Sequence, residues 1–130
     1  MYNFKKNEII GIAALLIHAA KIDEIYSENE KKIVKDFIQN NLNDDSILQE
    51  VIAEAEKLES NSNQLLNYTK IIKDSSSKAK SEIIEQLWKI LISDNKVDQY
   101  ESNLMRRICG LIYFPDKECA EIKLKLLNSK

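Results

Sequence analysis

Apolar residues recur at intervals of three and four positions along nearly the whole chain, the spacing that buries one face of an α-helix. Short polar segments interrupt the pattern, so it predicts about seven helices. The predicted helices cover approximately residues 6–21, 27–39, 46–58, 65–72, 78–93, 98–111 and 115–127. Because no stretch longer than about six residues lacks the pattern, residues 1–130 are predicted to form a single domain.

The composition favours an all-α fold with one apolar core. The 130 residues include only two glycines and one proline, which leaves little of the chain for turns or irregular loops. Hydrophobic residues make up 44% of the sequence, an ordinary share for a globular protein. The sequence therefore predicts an all-α protein that forms a single compact helical bundle.

Neither charge nor hydropathy indicates a nucleic-acid or membrane partner. The formal net charge is −2, so no excess of positive charge favours nucleic acid or anionic lipid. The apolar run of residues 9–17 follows Lys5 and Lys6, as in a short signal peptide. Glu8 interrupts that junction, however, and the run is too short to span a bilayer. We interpret it as the buried first helix of a cytoplasmic protein that has no transmembrane segment.

Other residues with potential chemistry are predicted to be structural. Cys109 and Cys119 are expected to be buried thiols on two successive helices, which agrees with a reducing compartment. His18 is the only histidine and stands in an apolar stretch, so a structural role is favoured over metal binding. Trp88 falls on an apolar stripe and is expected in the core, or else at a binding groove. No combination of nucleophile and base is recognisable, and we expect the protein not to be an enzyme.

A short acidic pattern occurs twice, 71 positions apart, in residues 20–30 and 91–101. Each copy ends one apolar run and precedes another, so each is predicted to be an acidic turn between two helices. The matching residues are Asp23 and Asp94, Ser27 and Asp98, and Glu30 and Glu101. The repeat predicts that the bundle is built from two pseudo-repeated helix-turn-helix units.

Helix capping explains most of the residues in these turns. Ser27 and Glu30 fit a capping box, in which each side chain accepts a hydrogen bond from the backbone amide of the other residue. Asp98 and Glu101 repeat the arrangement with a carboxylate as the cap. The first aspartate of each copy instead lies near the C-terminal end of the preceding predicted helix, where the helix dipole disfavours a negative charge. Capping therefore leaves those two aspartates unexplained.

A divalent cation is another interpretation of the acidic turns. The second copy places four oxygen-bearing side chains within eight residues, namely Asp94, Asn95, Asp98 and Glu101. Hard cations such as Ca²⁺ and Mg²⁺ bind oxygen ligands of this kind. Neither copy contains the calcium-binding loop of an EF-hand or its glycine. Metal binding, helix capping with turn formation, and an acidic surface for a partner therefore all remain open.

The segment from Leu87 to Ile108 resembles the TerB-like family of tellurite-resistance-associated helical domains. Family members carry there a Leu-Trp pair, an Ala-Asp-Gly turn, a Tyr-Glu pair and an Arg-Arg pair. The corresponding residues of this chain are Leu87-Trp88, Ser93-Asp94-Asn95, Tyr100-Glu101 and Arg106-Arg107. Residues 14–37 resemble the family's first acidic turn, so the resemblance covers essentially the whole chain as one TerB-like domain. The family also resembles the N-terminal domain of the membrane co-chaperone DjlA.

The resemblance implies an all-α domain of about seven helices in a cytoplasmic bacterial protein tied to stress or tellurite resistance. Family members have been proposed to bind metal through the acidic turns, and the corresponding residues here are Asp23, Glu30, Asp94, Asp98 and Glu101. Glu24 replaces the family's turn glycine in the first copy, and Asn95 replaces it in the second. Because asparagine tolerates the left-handed backbone better than glutamate does, the second turn is the favoured candidate.

Two classes of non-enzymatic function follow from these patterns. The first is a protein-binding or scaffold module with a protein partner, associated with stress or tellurite resistance. The alternative is a divalent-cation sensor that binds Ca²⁺ or Mg²⁺ through the acidic turns. A further alternative, implied by the resemblance, is an accessory domain of the co-chaperone type.

Overall fold

The computed structural model describes residues 4–21, 28–42, 45–61, 66–92 and 99–128, with their side chains except those of residues 45, 66, 67 and 99–102. Within these ranges it contains seven α-helices and one short 3-10 helix, and no strand. The helices are α1 (Lys6–Ala20), α2 (Glu28–Asn41), α3 (Leu48–Asn61), α4 (Leu66–Ile72), α5 (Ser77–Ile92), α6 (Gln99–Leu111) and α7 (Asp116–Asn128). The 3-10 helix, Asp45–Ile47, precedes α3. The prediction of an all-α bundle is confirmed.

Helix α1 lies at the centre of the bundle. Its residues from Ile9 to Ala20 are buried, except Ile10 and His18, and α2, α3, α4 and α5 all pack against it. A helix surrounded by other helices has no wide solvent face, which explains why its sequence is apolar on nearly every side. Gly11 permits the close approach of α4, because a Cβ atom at this position would lie 2.7 Å from Ile71 Cδ1.

Helix α7 lies at the edge of the bundle and packs mainly against α5. Cys119 is its buried residue, and Ile122 and Leu126 are partly buried against the core. Leu124 and Leu127, by contrast, are exposed. The helix therefore covers the core with one narrow face and leaves its other faces in solvent.

A tight turn reverses the chain between α6 and α7. The amide of Tyr113 donates to the Gly110 carbonyl at 3.4 Å, and the amide of Phe114 donates to the Cys109 carbonyl at 2.8 Å. These two bonds form a Schellman motif, in which one residue adopts the left-handed conformation. That residue is Tyr113, with a φ of 60°. Because glycine normally occupies this position, the tyrosine costs about 1 kcal/mol in backbone strain.

Most helix ends agree with the predicted ends to within two residues, but α3 ends later than predicted. The sequence predicts that Ser60 and Asn61 belong to a polar loop, whereas α3 continues to Asn61. The carboxylate of Glu59 contacts His18 and Lys21, at the end of α1. These contacts hold the last turn of α3 against α1, which the local sequence alone does not show.

None of the described helices is both long and apolar enough to cross a membrane. The central parts of the two acidic copies, residues 22–27 and 93–98, lie outside the described residues. The arrangement of the bundle as two stacked repeat units therefore stays a prediction.

Candidate functional site

The structure describes only part of the predicted metal site. Asp23, Asp94 and Asp98 lie outside the described residues, as does the side chain of Glu101 in α6. Glu30 lies in the first turn of α2 and is buried, with 2% of its surface exposed. Among the side chains that are described, no three His, Cys, Asp or Glu residues form a group that could hold a metal ion. The metal site in the acidic turns therefore stays a prediction.

The predicted caps Ser27 and Asp98 lie outside the described residues. Helix α2 begins at Glu28 and α6 begins at Gln99, the residues that directly follow Ser27 and Asp98 in the sequence. Serine and aspartate are favoured immediately before a helix because their side-chain oxygen can accept a hydrogen bond from an amide of the first turn. Helix capping therefore stays the predicted role of Ser27 and Asp98.

A groove with a volume of about 540 Å³ lies between α5, α6 and α7. Its apolar wall includes Trp88 from α5, Met105 from α6, and Cys119 and Ala120 from α7. The first three of these residues are buried, so the wall is part of the packed core. A cleft of this size can accept a small molecule or several side chains of a protein partner.

Trp88 is anchored in the wall of the groove by a hydrogen bond and by burial. Its indole Nε1–H donates a hydrogen bond to the backbone carbonyl of Cys119 at 3.1 Å, and the residue is only 3% exposed. Lys123 Nζ lies 5.1 Å from the centroid of the indole ring, which is the geometry of a cation–π contact. The sequence predicts Trp88 either in the core or at a groove, and the structure places it in both.

The charged residues of the groove are mainly cationic. Among the described side chains, Arg106, Lys117 and Lys123 line it together with one acid, Asp116. This local excess of positive charge contrasts with the net charge of −2 on the whole chain. None of the three cations forms an ion pair with a carboxylate among the described side chains. The groove can therefore offer these charges to an anionic ligand.

Cys109 and Cys119 are free, buried thiols, as the sequence predicts. A hydrogen bond between the two side chains, together with burial, raises the pKa of Cys109. Cys109 therefore remains a neutral thiol, and the thiol form is neither a strong nucleophile nor a metal ligand. Cys119 supplies a second thiol, which lies in the groove wall.

A separate polar cluster links α1 to α3. The Glu59 carboxylate accepts a hydrogen bond from Lys21 Nζ at 2.7 Å and lies 3.2 Å from His18 Nδ1. The Tyr68 hydroxyl donates to the backbone carbonyl of Glu59 at 3.3 Å. Burial tends to raise the pKa of Glu59, but the hydrogen bonds from Lys21 and His18 outweigh it and hold the pKa below its ordinary value.

The sequence did not predict this cluster because its members are far apart along the chain. His18 and Glu59 are separated by 41 residues. A lone histidine in an apolar stretch signals only that some polar partner is needed, and the packing of α1 against α3 decides which acid supplies it. The contacts of Glu59 with Lys21 and His18 account for the lowered pKa of its carboxyl group. We therefore assign the cluster a structural role, in which it holds α3 against α1.

The match to a known protein family extends over most of the chain. The family model described as "Tellurite resistance protein TerB" matches residues 10–124. That range includes all the described residues that line the groove, from Trp88 to Lys123. No curated protein and no solved structure matches the chain.

Proposed function

This chain belongs to the TerB family of tellurite resistance proteins, and from that premise we propose that it is a non-enzymatic module that binds a protein partner. The proposed binding surface is the groove between α5, α6 and α7, together with the exposed leucines of α7. One observation carries the proposal: the apolar wall of the groove continues along a helix face that is open to solvent.

Two exposed leucines form this continuation. Leu124 and Leu127 are 57% and 40% exposed. They follow Ala120 at intervals of four and three residues, so the three side chains lie on one side of α7. Because Ala120 lines the groove, the leucines extend its apolar surface towards the C-terminal end of the helix. Apolar side chains exposed beside a cleft are typical of protein-binding surfaces.

The chemistry of the groove supports binding rather than catalysis. Nucleophilic catalysis by a thiol usually requires an adjacent base. Cys119 lines the groove, but its thiol neighbour is Cys109, and the only histidine of the chain, His18, pairs with Glu59 between α1 and α3. The groove thus offers shape, apolar area and charge to a ligand.

Family membership supports a role in the stress response or in tellurite resistance, within the bacterial cytoplasm. In this role the domain would hold a partner protein and would not transform a compound itself. The rigid wall around Trp88 suits such a task, because a surface that is already ordered loses little conformational entropy when the partner binds.

A divalent-cation sensor is the second candidate function. The observation that favours it is the spacing of Asp94, Asp98 and Glu101, because three carboxylates within eight residues offer the oxygen ligands that hard cations bind. In this alternative, Ca²⁺ or Mg²⁺ binds Asp94, Asp98 and Glu101 in the second turn, and Asp23 and Glu30 in the first.

Site-specific photo-cross-linking in cells of the source organism tests the main proposal. A photoreactive amino acid replaces Lys117, which lines the groove, or Lys125, which lies on the same helix outside it. We expect a discrete protein adduct from position 117 and little or none from position 125. In a second experiment, Lys123→Glu should suppress the adduct at position 117 without changing the helical circular dichroism. Identical adducts from the two positions, or none from position 117, would contradict the proposal.

A further inference from the structure

We infer that the occupant of the groove is an acidic amphipathic helix of the partner protein, whose apolar side chains contact the groove wall and whose carboxylates pair with the cations beside it. The inference rests on the proposed function, because it specifies the chemistry of the partner at the same surface. Three observations support it: the positive charge around the groove, the arrangement of side chains along α7, and a described fold made of helices, which gives an extended peptide no sheet edge to bind.

Charge complementarity favours an acidic partner. Of the charged side chains that the structure describes in the groove, Arg106, Lys117 and Lys123 are cationic and Asp116 is acidic. Lys123 already lies over the ring of Trp88, so a partner carboxylate can pair with it beside an apolar surface, where little water screens the charge. A basic segment would meet repulsion from the same three side chains.

The arrangement of side chains along α7 favours a helix with one apolar face. Ala120, Leu124 and Leu127 form an apolar stripe, and Lys117 and Lys123 lie close to it around the helix axis. Asp116 also lies close to the stripe, and Glu121 lies beside Lys117 on the side away from the stripe. Glu118 falls on the opposite side of the helix, because each residue turns by about 100° around the axis. From Asp116 to Leu127 the surface is about 16 Å long, which is the length of about three helical turns. A partner helix could place apolar anchors along this length at the usual spacing of three and four residues.

An extended peptide fits the surface less well. A bound strand needs a sheet edge to satisfy its backbone amides and carbonyls, and the described part of the chain consists of helices and their connections. A helix satisfies its own backbone hydrogen bonds. It can therefore bind through side chains alone, which are what the groove and α7 present.

A second copy of this chain fits the surface less well than an acidic helix. The most acidic described helix, α3, buries its apolar residues Leu48, Val51 and Ala55 in its own core, so it has no free apolar face to offer. Two α7 helices placed face to face would bring Lys117 and Lys123 of both copies together, which is electrostatically unfavourable. These features leave the acidic helix of another protein as the occupant.

Isothermal titration with designed peptides tests the inference on the full chain. The probe is a capped helical peptide of about 14 residues, with leucines at helical spacing of three and four and glutamates beside them. One control peptide replaces every glutamate by lysine, and another replaces every leucine by serine. We expect binding of the glutamate peptide, at least about tenfold weaker binding of the lysine peptide, and no binding of the serine peptide.

Two matched variants locate the binding site. Lys123→Glu reverses a charge in the groove, whereas Lys125→Glu makes the same change on α7 outside it. Lys123→Glu should weaken binding of the glutamate peptide by about tenfold, and Lys125→Glu by less than about twofold. Thermal unfolding of both variants verifies that each one is folded.

Three results would overturn the inference. The first is equal affinity for the glutamate and lysine peptides, or no binding of either, and the second is an equal effect of the two variants. The third is a dimer of the protein alone, seen by analytical ultracentrifugation and abolished by Leu124→Glu, because a second copy would then occupy the surface. If cross-linking at position 117 succeeds while the glutamate peptide fails, the groove binds protein but its partner is not an acidic helix.

Discussion

Two local features outside the groove contribute to the free energy of unfolding: the left-handed turn at Tyr113 and the buried carboxylate of Glu59. Tyr113 occupies the left-handed position of the turn between α6 and α7. Glu59 is a carboxylate largely withdrawn from water that depends on Lys21 and His18. Neither feature is visible in the local sequence, because tyrosine rarely takes that conformation and the partners of Glu59 are remote along the chain.

The Tyr113 position predicts an unusual order of variant stabilities. The glycine variant Tyr113→Gly should be more stable than Tyr113→Ala, with a free energy of unfolding about 1 kcal/mol higher. The reason is that glycine adopts the left-handed backbone without steric cost. Both variants lose the ring and its contact with Lys73, whose Nζ lies 5.7 Å from the ring centroid. Their difference therefore isolates the backbone, and chemical denaturation measures it. An alanine variant as stable as the glycine variant would contradict the assigned conformation.

The cluster around Glu59 predicts a loss of stability in acid. Its folded-state pKa lies below the ordinary value of 4.5, so its stabilising contribution is complete above that value and is lost as the pH falls through the lower folded pKa. Glu59→Gln should lower the free energy of unfolding at neutral pH by about 1–2 kcal/mol. It should also flatten the decline of stability in acid.

A neighbouring glutamate supplies the control for this measurement. Glu54 is exposed on the same helix, and Glu54→Gln should keep the wild-type dependence of stability on pH. Urea denaturation between neutral pH and pH values below 4.5 compares the three proteins. If Glu59→Gln and wild type lose stability in parallel, the cluster does not contribute as described.

At the scale of helices, alanine substitutions at the two glycines of the chain should change the free energy of unfolding in opposite directions. Gly11→Ala would push a methyl group against the side chain of Ile71 between α1 and α4. This overpacking costs about 1–3 kcal/mol and outweighs a gain in helix propensity of about 1 kcal/mol, so the free energy of unfolding should fall by up to about 2 kcal/mol. A methyl group at Gly110 in α6 would have no atom within 4 Å. Gly110→Ala should therefore raise the free energy of unfolding by about 0.5–1 kcal/mol, because alanine has the higher helix propensity. Thermal and urea unfolding of both variants test the pair. Stabilisation by both substitutions would contradict the close packing of α1 and α4.

The acidic turns between helices give a prediction specific to the cation-sensor alternative. Millimolar Ca²⁺ or Mg²⁺ should shift the NMR amide signals of Asp94, Asp98 and Glu101, because coordination changes the shielding of nearby amides. Asp94→Asn should abolish the shifts, and Asp74→Asn, which changes an exposed residue after α4, should not. Unchanged signals at millimolar metal would exclude the cation-sensor alternative. The proposal that the groove binds a protein partner does not depend on this result.

For the molecule as a whole, the sequence predicts the elements better than their contacts. Scarce glycine and proline predict the all-α class, and apolar residues at helical spacing predict the number of helices and most helix ends. Burial of α1 follows from its apolar residues on nearly every side. The sequence predicts an end of α3 that is too early, because the contact of Glu59 with Lys21 that holds the last turn is a tertiary one.

The groove could not be derived from the sequence for the same reason. Trp88, Met105 and Lys123 belong to three different helices, and only the packing of α7 against α5 and α6 brings them together. The exposed Leu124 and Leu127 satisfy the helical pattern as well as buried residues do, so periodicity alone assigns them to the core. The predicted site in the acidic turns and the groove are thus separate hypotheses.

The most direct test of the groove as the binding surface is the indole ¹H–¹⁵N signal of Trp88. The chain has one tryptophan, so this signal is unique and reports on the groove wall itself. On addition of the glutamate peptide, we predict that it shifts together with the amides of Arg106, Lys117 and Ala120, while the amides of α3 do not shift. Binding that leaves the Trp88 signal unchanged, or that shifts mainly the amides of α3, would contradict the assignment of the groove.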